Sequence, residues 1–223
     1  MFPGGRRERW LAIGCALLLL SALVLSLSRG AYLATAILVV IVVLSLSSRR
    51  QKIWGLAAVA VLTLAVLELP FIGLRLASLG HSTLIRLLIF GETLRMLAER
   101  PIFGAGISGF PIRVAPFRPS AQEVELYPHN LWLTTWSEIG LLGVVAFGII
   151  FFGLLFRGVR ELSKSSGLYR AVIWGSTGAL FLYLVHGMFD SPYWKNDLSV
   201  EFWLIAALQV IAIRGARASA QDS

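Results

Sequence analysis

The sequence is poor in charged residues and has a single cysteine. Only 14% of its 223 residues are charged, whereas 57% are hydrophobic and the mean hydropathy is +0.77. Too little polar surface remains to cover a soluble globule of this length, so a soluble fold is excluded. Cys15 lies within an apolar stretch and has no second cysteine to pair with, so an intrachain disulfide is excluded and the redox compartment cannot be read from it.

Six apolar runs predict transmembrane helices, because each comes close to the roughly 17 to 25 residues that cross a hydrocarbon core. They cover residues 10–27, 30–46, 53–69, 131–156, 168–189 and 198–213. We therefore expect an all-α integral membrane protein with about six transmembrane helices, organised as a single membrane domain over residues 1–223. The basic start followed by an apolar run also resembles a secretory signal, but the run is long for a signal core and favours a retained helix.

The net charge of +8 does not indicate a nucleic-acid partner, because the basic residues flank apolar runs and do not cluster on a soluble face. If the N-terminus is cytoplasmic, twelve of the 20 basic residues fall beside helix ends on the cytoplasmic side. This distribution follows the positive-inside rule. The twelve are Arg6, Arg7, Arg9, Arg49, Arg50, Lys52, Arg157, Arg160, Lys164, Arg170, Arg214 and Arg217.

The longest stretch between predicted spans covers residues 70–128 and is expected on the external side. Loops of this length usually carry function or are disordered. Disorder is not expected here, because leucine, isoleucine and methionine recur at helical spacing between residues 84 and 97. We expect an amphipathic helix at about 82–99 that lies on, or dips into, the outer leaflet.

A glycine-rich turn follows this predicted helix. Gly104, Gly106 and Gly109 match the dinucleotide-binding pattern GxGxxG, but no strand precedes them and Pro111 follows almost at once. We therefore reject a nucleotide site. The glycines are expected to let the backbone approach a ligand or a neighbouring helix closely.

Several polar residues lie at the outer ends of the apolar runs. Arg29 occupies the tight hairpin between the first two spans. The structural interpretation is a snorkelling arginine, whose stem lies along the helix while its head reaches the phosphate headgroups. Asn130 can cap the fourth predicted span, and His129 beside that positive helix end is expected to be neutral. Glu138, about two turns into the span, needs a partner or water, either in an inter-helix hydrogen bond or at a substrate.

Two further polar residues mark the end of the fifth predicted span. His186 and Asp190 are four residues apart and can share one helix face. Tyr193 and Trp194 follow and are typical of a membrane-interface belt. An interface anchor and a catalytic role are both open, and the pattern favours the anchor.

Three stretches, taken in order, resemble the O-antigen ligase and O-antigen polymerase superfamily. They are SRG between two helices, LIRLLIFGETLRMLAERPIFGAGISGF in the long loop, and HNLWLTTWSEIGLLG at a helix start. The resemblance covers roughly residues 10–213 and implies a polytopic glycosyltransferase of the bacterial cytoplasmic membrane, surrounded by membrane lipids. It implies transfer of a saccharide from an undecaprenyl-diphosphate carrier to a hydroxyl of a lipid, glycan or protein at the outer face, with no cofactor.

The resemblance also implies site residues. The family's hairpin arginine, loop arginine and loop-end histidine fall on Arg29, Arg86 and His129, which are expected to be catalytic. Guanidinium groups bind the oxygens of a departing diphosphate and a histidine can accept a hydroxyl proton, so no metal is expected. The residues expected to bind substrate at the same boundary are Arg95, Arg113, Asn130, Glu138, His186 and Asp190.

The chain departs from the superfamily in one respect, because its members usually carry further spans before the hairpin. Only nine residues precede the first predicted span here. We therefore expect either the C-terminal half of a split or truncated enzyme, with a second chain supplying N-terminal helices, or a compact relative. The alternatives are a polymerase and a non-catalytic subunit that binds or assembles lipid-linked glycan. A transporter is disfavoured, since no paired repeat with broken helices at the midplane is present.

Overall fold

The computed structural model describes residues 5–45, 48–67, 79–119, 125–194 and 196–221. Every regular element in these ranges is a helix, and the ranges contain no strand. The chain divides into two compact units, Met1–Ile72 and Gly73–Ser223. The helical content and the apolar helices described below confirm the expected class, an all-α integral membrane protein.

The first unit contains three helices: α1 (Arg6–Ser26), α2 (Arg29–Leu44) and α3 (Arg49–Leu67). The turn between α1 and α2 is as tight as the sequence predicts, because Ser28 caps α2 by accepting the Ala31 amide through its hydroxyl. The hydroxyl of Tyr32 reaches back and donates to the Val24 carbonyl at 2.6 Å. The Tyr32 bond joins the end of α1 to the first turn of α2, whereas the Ser28 bond lies within the cap of α2.

The second unit contains the segment between the third and fourth predicted spans, which the sequence analysis places on the external side, and three long helices. Its elements are α4 (Leu79–Glu99), α5 (Phe110–Val114), a 3-10 turn (Ala115–Phe117), α6 (Leu131–Leu162), α7 (Gly167–His186), a second 3-10 turn (Pro192–Trp194) and α8 (Asn196–Gln221). The expected amphipathic helix is therefore present and begins three residues earlier than predicted. The last three predicted spans correspond to α6, α7 and α8.

Four of the described helices are long and apolar enough to cross a membrane. They are Arg6–Leu25, Leu131–Leu162, Gly167–His186 and Asp197–Gln221, and Gly30–Leu44 is a shorter apolar helix. The third predicted span corresponds to α3, whose side chains at residues 61–67 lie outside the described part of the chain. The chain is therefore a multi-pass membrane protein. Four of the six predicted spans correspond to helices that are long enough to cross a membrane.

Helix α4 has two apolar faces. One face packs against α5 and α6 and is buried, with Ile89, Met96 and Leu97 each 1% exposed. The other face carries exposed leucines at helical spacing, which is the arrangement expected of a helix on a lipid surface. Its members are Leu84, Leu87, Leu88 and Leu94.

Helices α6, α7 and α8 pack around an aromatic core. Phe151 and Phe202 are fully buried and stack with ring centroids 6.0 Å apart. Inside a membrane such packing, together with hydrogen bonds between helices, holds the bundle together in place of a hydrophobic driving force. The buried Gln209 of α8 supplies one such bond, donating to the Thr177 hydroxyl of α7 at 3.0 Å.

Candidate functional site

The start of α6 is fixed by Asn130, as the sequence predicts. Its side-chain oxygen accepts the amides of Trp132 and Leu133, each at 3.0 Å. Its side-chain nitrogen donates to the Met188 carbonyl at 3.1 Å. Asn130 therefore caps α6 and also ties it to the segment that follows α7, which sets the direction from which the preceding His129 approaches.

The segment after α7 is fastened to the first two turns of α6 by further hydrogen bonds. The Leu131 amide donates to the Gly187 carbonyl at 2.6 Å, and the Thr134 and Ser191 hydroxyls lie 2.5 Å apart. The Trp194 indole donates to the hydroxyl of Thr135 at 2.8 Å. These contacts hold the short turn that carries Asp190 beside the start of α6.

His129 lies between two carboxylates. Its Nε2 is 3.2 Å from a Glu125 oxygen, and its Nδ1 is 3.6 Å from a carboxylate oxygen of Asp190. The ring of Tyr127 packs beside the imidazole, with centroids 4.6 Å apart. The His129 side chain remains 24% exposed, so a ligand in solution or at the membrane surface can reach it.

The pKa of His129 is shifted in the direction opposite to the one expected from the helix end. Asp190 makes the largest contribution to raising the pKa of His129, Glu125 adds to it, and partial burial opposes both without cancelling them. The net pKa lies above the ordinary value, so the protonated form is favoured relative to a free histidine. Two carboxylates at 3.2 and 3.6 Å outweigh the field of one helix end, which falls off within a turn.

The two carboxylates face opposite nitrogens of one ring and therefore cannot converge on one ion. Among the residues that the structure describes, no group of three His, Cys, Asp or Glu side chains could hold a metal ion. The arrangement is suited instead to orienting the imidazole and exchanging a proton with it.

The glycine turn docks into a break in α6. Gly140 has φ 72° and ψ −177°, a backbone conformation essentially restricted to glycine, and it interrupts the helix. The Ser137 carbonyl and the Leu141 amide, which would otherwise bond to each other, bond instead to the turn. Leu141 donates to the Ile102 carbonyl at 2.9 Å.

The other half of the broken bond is satisfied in the same way. The Ser137 carbonyl accepts the amides of Ala105 at 2.7 Å and Gly106 at 3.1 Å. The Glu138 carboxylate accepts the amide of Ser108, so this 8% exposed side chain has the partner that the sequence analysis required. The glycines thus permit a close approach of backbone to helix, one of the two roles expected from the sequence.

An O-antigen ligase family model matches residues 14–148, which is more than half of the chain. The chain belongs to the O-antigen ligase family. The match includes Arg29, Arg86 and His129, and it ends before His186 and Asp190. No curated protein matches the sequence.

In this O-antigen ligase family member, Arg86 and Arg95 lie on opposite faces of α4, because nine residues at about 100° each amount to half a turn beyond two full turns. Arg86 is half-buried and makes no hydrogen bond or ion pair with another described residue. Arg95 lies on the exposed leucine face, near Glu92. Arg86 and Arg95 therefore cannot both face the same ligand without a change in α4.

The remaining candidates are distributed around the molecule. Arg29 is the first residue of α2 in the other unit, and its side chain lies outside the described part of the structure. Arg113 is exposed at the last turn of α5. His186 ends α7, three residues before the predicted end, so the two residues do not lie on one continuous helix. Asp190 lies instead in the following turn, where its amide donates to the His186 carbonyl at 3.1 Å.

Sequence reasoning missed Glu125, Tyr127 and Ser191 as parts of the site. Glu125 precedes His129 by four residues, a spacing that resembles a helical pair, but it lies outside any helix. Ser191 acts through its bond with Thr134, 57 residues away in sequence, for which no local signal exists.

A second buried polar pair joins α4 to the segment that follows α5. Arg118 and Glu92 are 7% and 5% exposed, and Nε of the arginine lies 3.8 Å from the carboxylate. Burial raises the pKa of Glu92, and the guanidinium of Arg118 opposes that shift. The pair ties α4 to the segment that follows α5, at the edge of the core formed by Ile89, Phe110 and Val114.

Proposed function

We propose that the chain is a membrane glycosyltransferase that moves a saccharide from an undecaprenyl-diphosphate carrier to an acceptor hydroxyl at the outer face of the bacterial cytoplasmic membrane. The observation that carries the proposal is His129, held by Glu125 and Asp190 at the end of a transmembrane helix. Membership of the O-antigen ligase family supports the reaction class.

In the proposed reaction the acceptor oxygen bonds to the anomeric carbon of the donor sugar. The bond between that carbon and the diphosphate breaks, and the diphosphate leaves with the electron pair. The hydroxyl proton passes to His129, which acts as general base. The acceptor is a hydroxyl of a lipid, a glycan or a protein.

The two carboxylates are assigned different roles. Asp190 is held by the Ser191 amide at 2.8 Å and by the turn fastened to α6, so it is suited to accept the proton of Nδ1 and fix the ring. Glu125 is 33% exposed and lies outside any helix, so it is suited to move aside and leave Nε2 for the acceptor.

The arginines are proposed to bind the diphosphate. Arg86 is half-buried and has no acidic partner among the described residues, so its charge is available to an anionic ligand. Guanidinium groups bind phosphate oxygens through two parallel hydrogen bonds and stay charged at all physiological pH values. Arg29 and Arg86 would stabilise the charge that develops on the leaving group.

The first experiment measures glycan transfer from an undecaprenyl-diphosphate donor by the full chain in proteoliposomes containing a chelator. The parent is compared with His129→Ala, Arg29→Ala and Arg86→Ala. Arg100→Ala is the matched control, because Arg100 is exposed, immediately follows α4 and has no assigned role. We expect His129→Ala to lower the turnover rate by about 10²- to 10⁴-fold, as for loss of a general base. Unchanged transfer in all three variants would refute the proposal.

The raised pKa of His129 supports a second candidate, a non-catalytic subunit in which protonated His129 and the arginines hold the lipid diphosphate. The two functions predict opposite pH dependence. A base must be neutral, so transfer rises as the pH passes upward through the His129 pKa, whereas binding by a cationic imidazole weakens over the same range. A binding subunit would bind the donor without transferring glycan. Its donor binding would be retained in Arg100→Ala and would weaken at high pH. A polymerase would perform the same transfer and yield products of increasing length.

A further inference from the structure

The glycine turn of the external segment exposes large apolar side chains. Phe103 is 82% exposed, Ile107 is 78% exposed and Ile102 is 54% exposed. The backbone around them is held in place by the hydrogen bonds to α6. A rigid turn that presents clustered apolar side chains indicates an interaction surface.

The hydrogen bonds fix the position of this surface along α6. The Ile102 carbonyl accepts the Leu141 amide, and the Gly106 amide, just before Ile107, donates to the Ser137 carbonyl. The turn therefore lies beside the helix break at Gly140.

That position coincides with a membrane boundary. The uncharged part of α6 after the break, residues 141–156, has 16 residues and spans about 24 Å at about 1.5 Å per residue. This is about one turn shorter than a hydrocarbon core of about 30 Å, so the break lies at, or about one turn inside, the edge of the core. The residues of α6 beside the break are already lipid-facing in character, with Leu142 76% and Ile139 41% exposed. Trp136, one turn before the break, donates its indole N–H to the Pro101 carbonyl at 2.7 Å and matches the aromatic belt of a membrane interface.

We propose that the glycine turn, residues 101–109, inserts Phe103 and Ile107 into the lipid leaflet at the N-terminal end of α6. The apolar surface of the turn continues the lipid-facing surface of α6 at the level where the hydrocarbon begins. The turn alone adds three exposed apolar side chains, whereas a stable protein interface buries about 1,000 Å² or more, so the turn by itself does not indicate a second copy of the chain. The break in α6 thus fixes the height of the external segment above the bilayer.

The experiment places a probe at each position in turn. Cys15, the one native cysteine, is exposed and is replaced by serine, and Phe103→Cys or Ile107→Cys is then labelled with bimane. The full chain is reconstituted in phosphatidylcholine and phosphatidylglycerol vesicles that carry a nitroxide at either carbon 5 or carbon 12 of the acyl chain. The references are Ile149→Cys, 69% exposed in the middle of α6, and Lys164→Cys in the exposed turn after α6.

An inserted turn places both probes about 5 to 10 Å into the boundary between headgroups and acyl chains. We expect blue-shifted emission and stronger quenching by the carbon-5 nitroxide than by the carbon-12 nitroxide, with the order reversed at Ile149 and little quenching at Lys164. If the probes at Phe103 and Ile107 both behave like Lys164, the turn is in water and the proposal is wrong. Blue-shifted but unquenched probes would mean that protein covers the turn, and this would also refute it.

Addition of a polyprenyl phosphate to the vesicles tests whether the surface binds the isoprenoid chain of a lipid carrier instead of the bilayer. If the probes become shielded only after this addition, the surface binds the isoprenoid chain of a carrier and not the bilayer, which would overturn the proposal. Quenching that is present without the carrier and unchanged by it supports insertion into the leaflet. This result does not depend on glycan transfer, so it tests the insertion of the turn independently of the proposed function.

Discussion

Replacement of Gly140 by alanine should release the glycine turn from α6. A Cβ atom at this position would overlap the Ile102 carbonyl oxygen, which is the acceptor for the Leu141 amide. Its φ of 72° and ψ of −177° are strained for any residue with a side chain by about 1 to 3 kcal/mol. The turn must retreat to relieve the overlap, and doing so breaks its hydrogen bonds to α6.

The magnitude follows from the bonds that are lost. Three backbone hydrogen bonds join the turn to the break, from Leu141, Ala105 and Gly106, and each contributes about 0.5 to 1.5 kcal/mol. With the strain added, Gly140→Ala should destabilise the docked turn by about 2.5 to 7.5 kcal/mol. Gly104→Ala should act in the same way, because its Cβ would lie 2.5 Å from the carbonyl oxygens of both Trp136 and Ser137, about 1 Å inside van der Waals contact.

Amide hydrogen exchange in detergent or nanodiscs measures this release directly. Exchange at Ala105 and Gly106 should become much faster in Gly140→Ala, while exchange in the aromatic core of the bundle is unchanged. Leu141 is not a reporter, because its amide re-forms the helical bond to the Ser137 carbonyl once the turn has left. Gly153→Ala is the control in the same helix, because its Cβ meets nothing within 4 Å and its backbone is helical. It should be neutral or slightly stabilising, by up to about 1 kcal/mol.

The double variant adds a second criterion. Gly104→Ala and Gly140→Ala release the same turn, so their effects should be clearly less than additive. Equal exchange in Gly140→Ala and Gly153→Ala would show that the turn is not docked into the break, and the reasoning would then fail.

Three further variants probe the site and the bundle. Asp190→Asn removes the largest contribution that raises the pKa of His129, so an NMR titration of the imidazole and the rise of activity with pH should both shift to lower pH; a shift upward would contradict the structure. Asn130→Ala removes both capping bonds and should cost about 1 to 2 kcal/mol in thermal unfolding, with Asn130→Asp, which keeps the cap acceptor, less affected. Gly158→Ala would push a methyl group into the inter-helix hydrogen bond of α7 and α8 and should lower the unfolding temperature, whereas Gly175→Ala, whose Cβ meets nothing within 4 Å, should not.

Local features of the site were predictable because they depend on neighbours in the sequence. Asn130 lies where an apolar run begins and caps the helix there, since the free amides at a helix start donate to the nearest side-chain oxygen. The amphipathic α4 was likewise predictable from the spacing of its apolar residues. In both cases the interacting groups are within one or two turns of each other.

The protonation of His129 shows where local reasoning fails. The helix end beside it is visible in the sequence and favours the neutral form, but the carboxylate of Asp190 comes from the far end of α7. Only the packing of α7 against α6 brings the two groups together. Because charge interactions depend on distance in space, the sign of the pKa shift could not be obtained from sequence.

The sequence by itself determined that this chain is an all-α membrane protein of the O-antigen ligase family, because hydrocarbon thickness fixes span length and family motifs are contiguous. Tertiary structure decided that α6 is broken at Gly140. The sequence does not decide this, because a glycine in an apolar run is compatible with a continuous helix as well as with a broken one. Tertiary structure also decided that the glycine turn fills that break and that Asp190 faces His129. These features arise from hydrogen bonds between distant segments, which form only when the helices have packed.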